Sequence, residues 1–186
     1  MNRKNLLALL TIMVCMLFSV QLASANLVTN GGFETGDFTG WTQGGNTGFT
    51  GVDTNAHSDT YAGYFGAVGS YGILSQSIAT SSGATYEIIF WLANGEGTPN
   101  NFSASFGFSN LLSLVDSPGQ GYTQYTYFLT ASSASTLLSF NLQQDPSYWH
   151  LDDISVVPTA TPEPATMLLL GLGLMGLAGV RRKFKK

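Results

Sequence analysis

Asp152 and Asp153 stand side by side, and eight further carboxylates lie between Asn26 and Val157: Glu34, Asp37, Asp53, Asp59, Glu87, Glu96, Asp116 and Asp145. The same stretch contains no Lys and no Arg. All seven basic residues sit at the ends, as Arg3 and Lys4, then Arg181, Arg182, Lys183, Lys185 and Lys186. The formal net charge of −4 therefore conceals a central segment of −10, zero basic against ten acidic residues. Carboxylates crowded together without a cationic neighbour repel one another. A hard divalent cation relieves that repulsion, and calcium accepts about six to eight oxygen ligands of the kind that carboxylates and loop carbonyls supply. The alternative is that these are solvated surface acids, with Glu34 accepting only backbone N–H groups.

The second chemical resource is aromatic. Sugar binding needs flat rings with a few polar partners. Trp91, Tyr61, Tyr64, Tyr71 and Tyr122 are the candidate platforms: Trp91 lies on the more polar side of its strand, and the tyrosines lie in or beside glycine-rich turns. Trp41 and Trp149 read as core.

Several kinds of chemistry are excluded or unmarked. Without Lys or Arg the segment cannot neutralise phosphates, so it binds no nucleic acid and has no phosphate loop. The only cysteine, Cys15, lies in the N-terminal apolar run, which leaves no disulfide, thiolate metal site or cysteine nucleophile. His57 and His150, the only histidines, sit in no catalytic or metal motif. Neither GxSxG nor HExxH occurs, and no carboxylate pair is marked out for glycoside hydrolysis. The expectation is a protein that is not an enzyme.

The elements that would position these groups are strands. Eighteen glycines fall between Gly31 and Gly121, and no stretch has helical periodicity with good helix formers. In residues 84–94, period two places Tyr86, Ile88, Phe90 and Leu92 on one face, with Glu87, Ile89, Trp91 and Ala93 on the other. In residues 102–108, Phe102, Ala104, Phe106 and Phe108 would face inward. Residues 73–78, 122–130, 136–142 and 149–156 are four more strands. Strands spaced this way predict an all-β, two-sheet antiparallel sandwich over residues 26–157.

The two ends read as addresses. Residues 1–25 have the basic start, the apolar run from Leu6 to Val20 and the Ala23-Ser24-Ala25 site of a signal peptide cut by signal peptidase. Residues 158–164 form a proline-rich linker. Residues 165–186 form a single transmembrane helix with a basic tail. The sixteen residues from Ala165 to Val180 would rise only about 24 Å, short for a hydrocarbon core of roughly 30 Å. The basic tail should stay cytoplasmic and leave the acidic domain outside.

Pro162-Glu163-Pro164, the glycine-rich apolar run and the terminal Arg/Lys cluster resemble the PEP-CTERM sorting signal of Gram-negative bacteria. The resemblance implies export across the inner membrane, a transient membrane anchor and recognition by an exosortase. It also implies a place at the cell surface or in the extracellular matrix, alongside exopolysaccharide and biofilm production. A plain tail anchor is the alternative.

A second resemblance lies at the domain's ends. Asn26-Leu-Val-Thr-Asn-Gly-Gly-Phe-Glu34, followed by Gly40-Trp41, is similar to the opening of galactose-binding-like jelly rolls, many of them carbohydrate-binding modules. Tyr148-Trp-His-Leu-Asp-Asp-Ile-Ser-Val156 resembles their final strand. The resemblance implies a jelly-roll sandwich whose first and last strands adjoin, with a structural calcium held by Glu34 and the Asp152-Asp153 pair. On a regular strand those two aspartates point to opposite faces, and Asp152 is the ligand by position. The implied function is an exported, non-catalytic protein that binds polysaccharide. The alternative is an acidic matrix protein acting through calcium without a specific sugar.

Overall fold

The computed structural model describes residues 25–159 and, beyond them, the helical residues 170–174 and 176. Residues 1–24 of the expected signal peptide, the Pro162-Glu163-Pro164 motif and most of the expected membrane helix lie outside the described residues. No helix among the described residues is long and apolar enough to cross a membrane.

Ten strands run in order: β1 (Thr42–Gly45), β2 (Thr50–Asp53), β3 (Ala62–Phe65), β4 (Gly72–Ala79), β5 (Thr85–Asn94), β6 (Asn100–Phe106), β7 (Ser109–Val115), β8 (Gln120–Thr130), β9 (Ser135–Gln144) and β10 (Trp149–Pro158). They form two five-stranded antiparallel sheets, ordered β1-β4-β9-β6-β7 and β2-β3-β10-β5-β8. This is the expected jelly-roll sandwich.

Strict alternation builds the core. Tyr86, Ile88, Phe90 and Leu92 of β5 are buried, and each alternates with a half-buried residue on the outer face. Phe90 packs edge-on to Phe140 of the facing sheet, with centroids 5.4 Å apart, and tilts against Phe102 at 5.9 Å. Burying each such side chain contributes about 1.5–3 kcal/mol. Trp149 and Trp41 join this core, their indole N–H groups donating to the Gln143 and Asn30 carbonyls.

Alternation fails at one predicted position. Phe102, Ala104 and Phe106 face inward, but Gly107 adopts φ +60 and turns the chain into β7, leaving Phe108 fully exposed. That conformation suits glycine, which has no side chain to clash there.

The N-terminal segment closes the sandwich against β10. Leu27 N donates to the Val156 carbonyl, and the Asn26 side chain bonds Ile154 O and Val156 N. Gly31 lies so close to β10 that a Cβ would fall 2.1 Å from Ile154 O. Just beyond β10, Thr159 N and Oγ1 both donate to Thr85 O. Every residue of the hydrophobic core cluster lies between Val28 and Val156, so this unit closes its own core.

Candidate functional site

The outer face of β2-β3-β10-β5-β8 carries the chemistry. Register places Tyr64 of β3 beside His150 of β10, and His150 beside Ala93 of β5. In the next row Asp152 stands beside Trp91, and Trp91 beside Gln124 of β8. Inward neighbours such as Leu151 and Leu92 are fully buried, which fixes this face as the outer one.

The β2–β3 connection, residues 54–61, crosses this face like a strap. Its N–H groups are received by carboxylates. Asp152 Oδ2 accepts from His57 N at 2.8 Å and Ser58 N at 3.3 Å, and Glu34 Oε1 accepts from Tyr61 N at 2.8 Å and Thr60 N at 3.1 Å. Asp153 accepts from the side chains, His57 Nδ1 at 2.6 Å and Ser58 Oγ at 2.8 Å. Tyr122 Oη donates to the Asn55 carbonyl at 2.6 Å.

Both aspartates therefore serve the same loop. The expectation that they point to opposite faces is corrected by a bulge. The β10–β5 register shifts between Asp152 and Ser155, and Asp153 takes φ +48. The extra residue bends the strand and re-aims its side chain.

Asp152 is wholly buried. Burial pushes its carboxyl up to about 6; the N–H groups of Asp153, His57 and Ser58 pull it back in part, and the Asp153 charge adds to the rise. Burial, then the charges of Asp152, Asp53 and Asp153, pushes the Tyr122 phenol well above its usual range, so it stays a neutral donor. Among the described residues no group of three or more His, Cys, Asp or Glu side chains is already drawn together as a metal site.

Trp91 does not present a free ring face. The His57 imidazole stacks on it with centroids 3.6 Å apart and planes 16° from parallel, and Tyr122 meets His57 edge-on at 5.5 Å. Tyr61 packs against the core beside Glu34. Tyr71 stays exposed in the β3–β4 connection, its carbonyl accepting from Asn46 N. Of the expected platforms, Tyr64 and Tyr122 lie on this face without a ring stacked across them.

Tyr64 belongs to a strip. Its ring meets Tyr148 edge-on at 5.4 Å, and Tyr148 meets His150 at 6.5 Å. His150 Nε2 lies 3.4 Å from Asp53 Oδ2 and 3.2 Å from Asn55 Nδ2. Gly51 and Gly66 make room, since a Cβ on either would come within 2.7 Å of the Tyr64 or Tyr148 ring or hydroxyl. The strip thus sets aromatic edges beside a carboxylate, an imidazole and an amide. Sequence reasoning missed Asp53, Asn55 and His150 as a group, because they come from two segments 95 residues apart. The one available signal was His150 alternating with the apolar Trp149 and Leu151.

The fold is similar to that of carbohydrate-binding modules. TmCBM61, solved in complex with beta-1,4-galactotriose, matches with a TM-score of 0.57 at 22% identity, over 73% of this chain and 100% of that one. The CBM22-1 xylan-binding domain of Paenibacillus barcinonensis Xyn10C matches with a TM-score of 0.54 at 16% identity, over 75% of this chain and 97% of that one. The enzymatically active domain of bacteriophage CBA120 tailspike protein 4 matches with a TM-score of 0.58 at 14% identity, over 72% of this chain but only 21% of that one. No curated protein sequence matches.

Residues 160–183 match the PEP-CTERM protein-sorting motif. The chain therefore carries the signal of an exported, exosortase-sorted protein.

Proposed function

We propose that this chain is an exported, non-catalytic carbohydrate-binding protein that takes polysaccharide on the Tyr64–Tyr148–His150 strip. One observation carries the reading: the Tyr64, Tyr148 and His150 rings adjoin one another edge-on, with Asp53 and Asn55 at hydrogen-bonding distance from the third. Sugar rings stack their apolar faces on aromatics and send hydroxyls to flanking acceptors. The sorting motif supports placing this activity at the cell surface or in the surrounding matrix of a Gram-negative bacterium, after transient anchoring and exosortase processing.

The proposal has a second part, a structural calcium. A Cβ on Gly32 would lie 3.7 Å from both Asp152 Oδ1 and Asp153 Oδ1, and 3.8 Å from Glu34 Cγ. Three acidic side chains thus converge on one glycine, in a segment without Lys or Arg. The donor set fits a hard cation, which Glu34, Asp152 and Asp153 would hold. Such an ion would neutralise the buried charge and brace the strap. Binding has to draw these oxygens closer than the loop's N–H groups now hold them.

Affinity electrophoresis of residues 26–159 tests the first part, with β-1,4-galactan, xylan and an acidic polysaccharide in the gels, each with calcium and with chelator. Retardation by a neutral polymer, weakened at least about tenfold by Tyr64→Ala, is the expected result. A domain at −10 should meet acidic polymers only through calcium. Retardation that needs calcium and ignores Tyr64→Ala would favour the acidic matrix protein instead.

A further inference from the structure

The two sheets end in four edge strands, β1 and β7 in one and β2 and β8 in the other. Three of them carry a feature that discourages pairing with another chain. β1 and β2 are four residues long, and β7 is broken by the register shift opposite Ala104 and Ser105. β8 has no such protection. It runs for eleven residues, Gln120–Thr130, without a charged side chain or a proline, and its register with β5 is unbroken from Thr123 to Thr130. Among the described residues, the backbone of that stretch bonds to β5 alone.

The phase of the ladder decides which groups β8 leaves open. Ala131 N donates to Ala84 O at 2.9 Å and Ala131 O accepts from Gly83 N at 2.8 Å, so the Ala131 backbone faces the β5 side. Backbone groups alternate in direction along an antiparallel strand. Tyr125, Tyr127 and Leu129 therefore bond β5, while Gln124, Thr126, Phe128 and Thr130 point their N–H and C=O groups away from the sheet. The Thr130 and Thr85 hydroxyls meet at 3.1 Å, as suits a pair without backbone bonds between its members. The flank is apolar as well. Tyr125, Tyr127 and Leu129 of β8, with Leu112 and Leu114 of β7, turn toward the core yet stay only half-buried, and Phe128 is exposed. On the other flank Phe38 fills the space, packing on Phe65 of β3 at 5.7 Å and on Phe33 at 5.6 Å.

We propose that β8 pairs with the β8 of a second copy, antiparallel across a two-fold axis, and joins the two sheets into one. Centring the axis on Tyr127 pairs Gln124 with the partner's Thr130 and Thr126 with the partner's Phe128. Every open residue is then bonded on both copies. The exposed Phe128 ring also gains a β-branched neighbour across the new ladder, a favourable cross-strand pair. Charge favours a copy at this flank. A segment at −10 repels its copies, but neither β7 nor β8 carries a charge. Glu87 stands one strand back, opposite Phe128, so the two Glu87 residues lie at least about 14 Å apart, against a Debye length of about 8 Å. The flank is about 36 Å long and about 20 Å deep across both layers. That gives roughly 700 Å² per copy, near the ~800 Å² of a standard interface. Paired residues share a face, so the two aromatic strips would face the same way. The pairing itself does not rest on sugar binding.

The test is sedimentation equilibrium on residues 26–159, a unit that closes its own core, joined to amide hydrogen exchange at low and high concentration. The expected result is a monomer–dimer equilibrium with a dissociation constant below about 1 mM. On dimerisation the amides of Gln124, Thr126, Phe128 and Thr130 should become protected, joining those of Tyr125, Tyr127 and Leu129 that β5 already protects. Thr126→Pro removes an N–H that β5 does not use, so the monomer should stay folded while dimerisation weakens at least about tenfold. Thr126→Glu keeps that N–H and should weaken the dimer by like-charge repulsion instead. Three outcomes would overturn the site. One is the mass of a single copy up to about 1 mM, which leaves the edge to some other extended chain. The second is a dimer in which the Gln124, Thr126, Phe128 and Thr130 amides stay unprotected, which puts the contact on another surface. The third is a dimer that both variants leave at full strength.

Discussion

The His57 imidazole lies flat on the Trp91 indole, 3.6 Å away, with its Nδ1 bonded to Asp153 at 2.6 Å. One residue of the strap thus covers the single tryptophan on the sheet face and fastens to the bulge in β10. The stack and the bond are coupled, because the same ring makes both.

Replacing His57 by Ala should therefore loosen the strap and uncover Trp91 together. Losing a stacked ring and a hydrogen bond to a carboxylate costs about 2–3 kcal/mol. Trp41 and Trp149 are buried, so a rise in acrylamide quenching of tryptophan fluorescence would report Trp91. Unchanged quenching would show that the strap stays in place without the imidazole.

Asp152 gives a pH signature. In chelator the folded protein holds this proton more tightly than the unfolded chain, since burial raises the group from 3.8 to about 6. Stability from this group is complete below about pH 4, declines as pH rises toward 6 and is level above, a change of about 2–3 kcal/mol. Asp37, held low by Thr39 and Thr35, acts in the opposite sense as pH falls through the carboxylate range. Subtracting the denaturation curve of Asp152→Asn isolates the Asp152 term. A difference that does not vary between pH 4 and 6 contradicts the account.

Calcium should erase that slope. A bound cation favours the charged carboxylate, so the proton is no longer held by the folded state. The melting temperature at pH 7 should rise with calcium and fall with chelator, and Asp152→Ala should remove the difference. Superimposable melting curves with and without chelator would eliminate the ion.

Gly31→Ala should be among the most damaging single-methyl changes. Its Cβ would sit 2.1 Å from Ile154 O, while Gly31 O accepts from Ile154 N at 3.0 Å. Relief requires moving the N-terminal segment off β10, at a cost of about 3 kcal/mol or more. A loss under about 1 kcal/mol by urea denaturation would mean that the segment yields easily.

The long strands were legible because alternation leaves a mark in composition. Tyr86, Ile88, Phe90 and Leu92 face inward just as their spacing predicts. The short strands β1, β2 and β3 left none: they hold four residues each, several of them glycine, and β1 and β3 form by pairing with β4 and β10 farther along the chain, while β2 is an edge strand paired only with β3. β7 was hidden because Leu111 and Leu112 interrupt the period at the register shift opposite Ala104 and Ser105. Glu34 and the two aspartates could be associated by their likeness to known modules. That both aspartates serve one loop could not be read, since it depends on a bulge. Trp91 reads as a platform because a sequence shows which face a side chain occupies, not that the His57 ring lies on top of it.

β10 runs from the strip at Trp149 to Pro158, where the described sandwich ends, a span of about 30 Å. The sorting motif begins two residues later. Any attachment made through that motif therefore grips the sandwich at the end opposite the aromatic strip. A pull between a captured polymer and such an attachment runs lengthwise along β10, which β3 and β5 flank on either side. Hydrogen bonds loaded in this direction share the force and must fail together, whereas a strand peeled from its end loses them singly. On the proposed reading, this order of strands would carry load from the captured polymer to the tether.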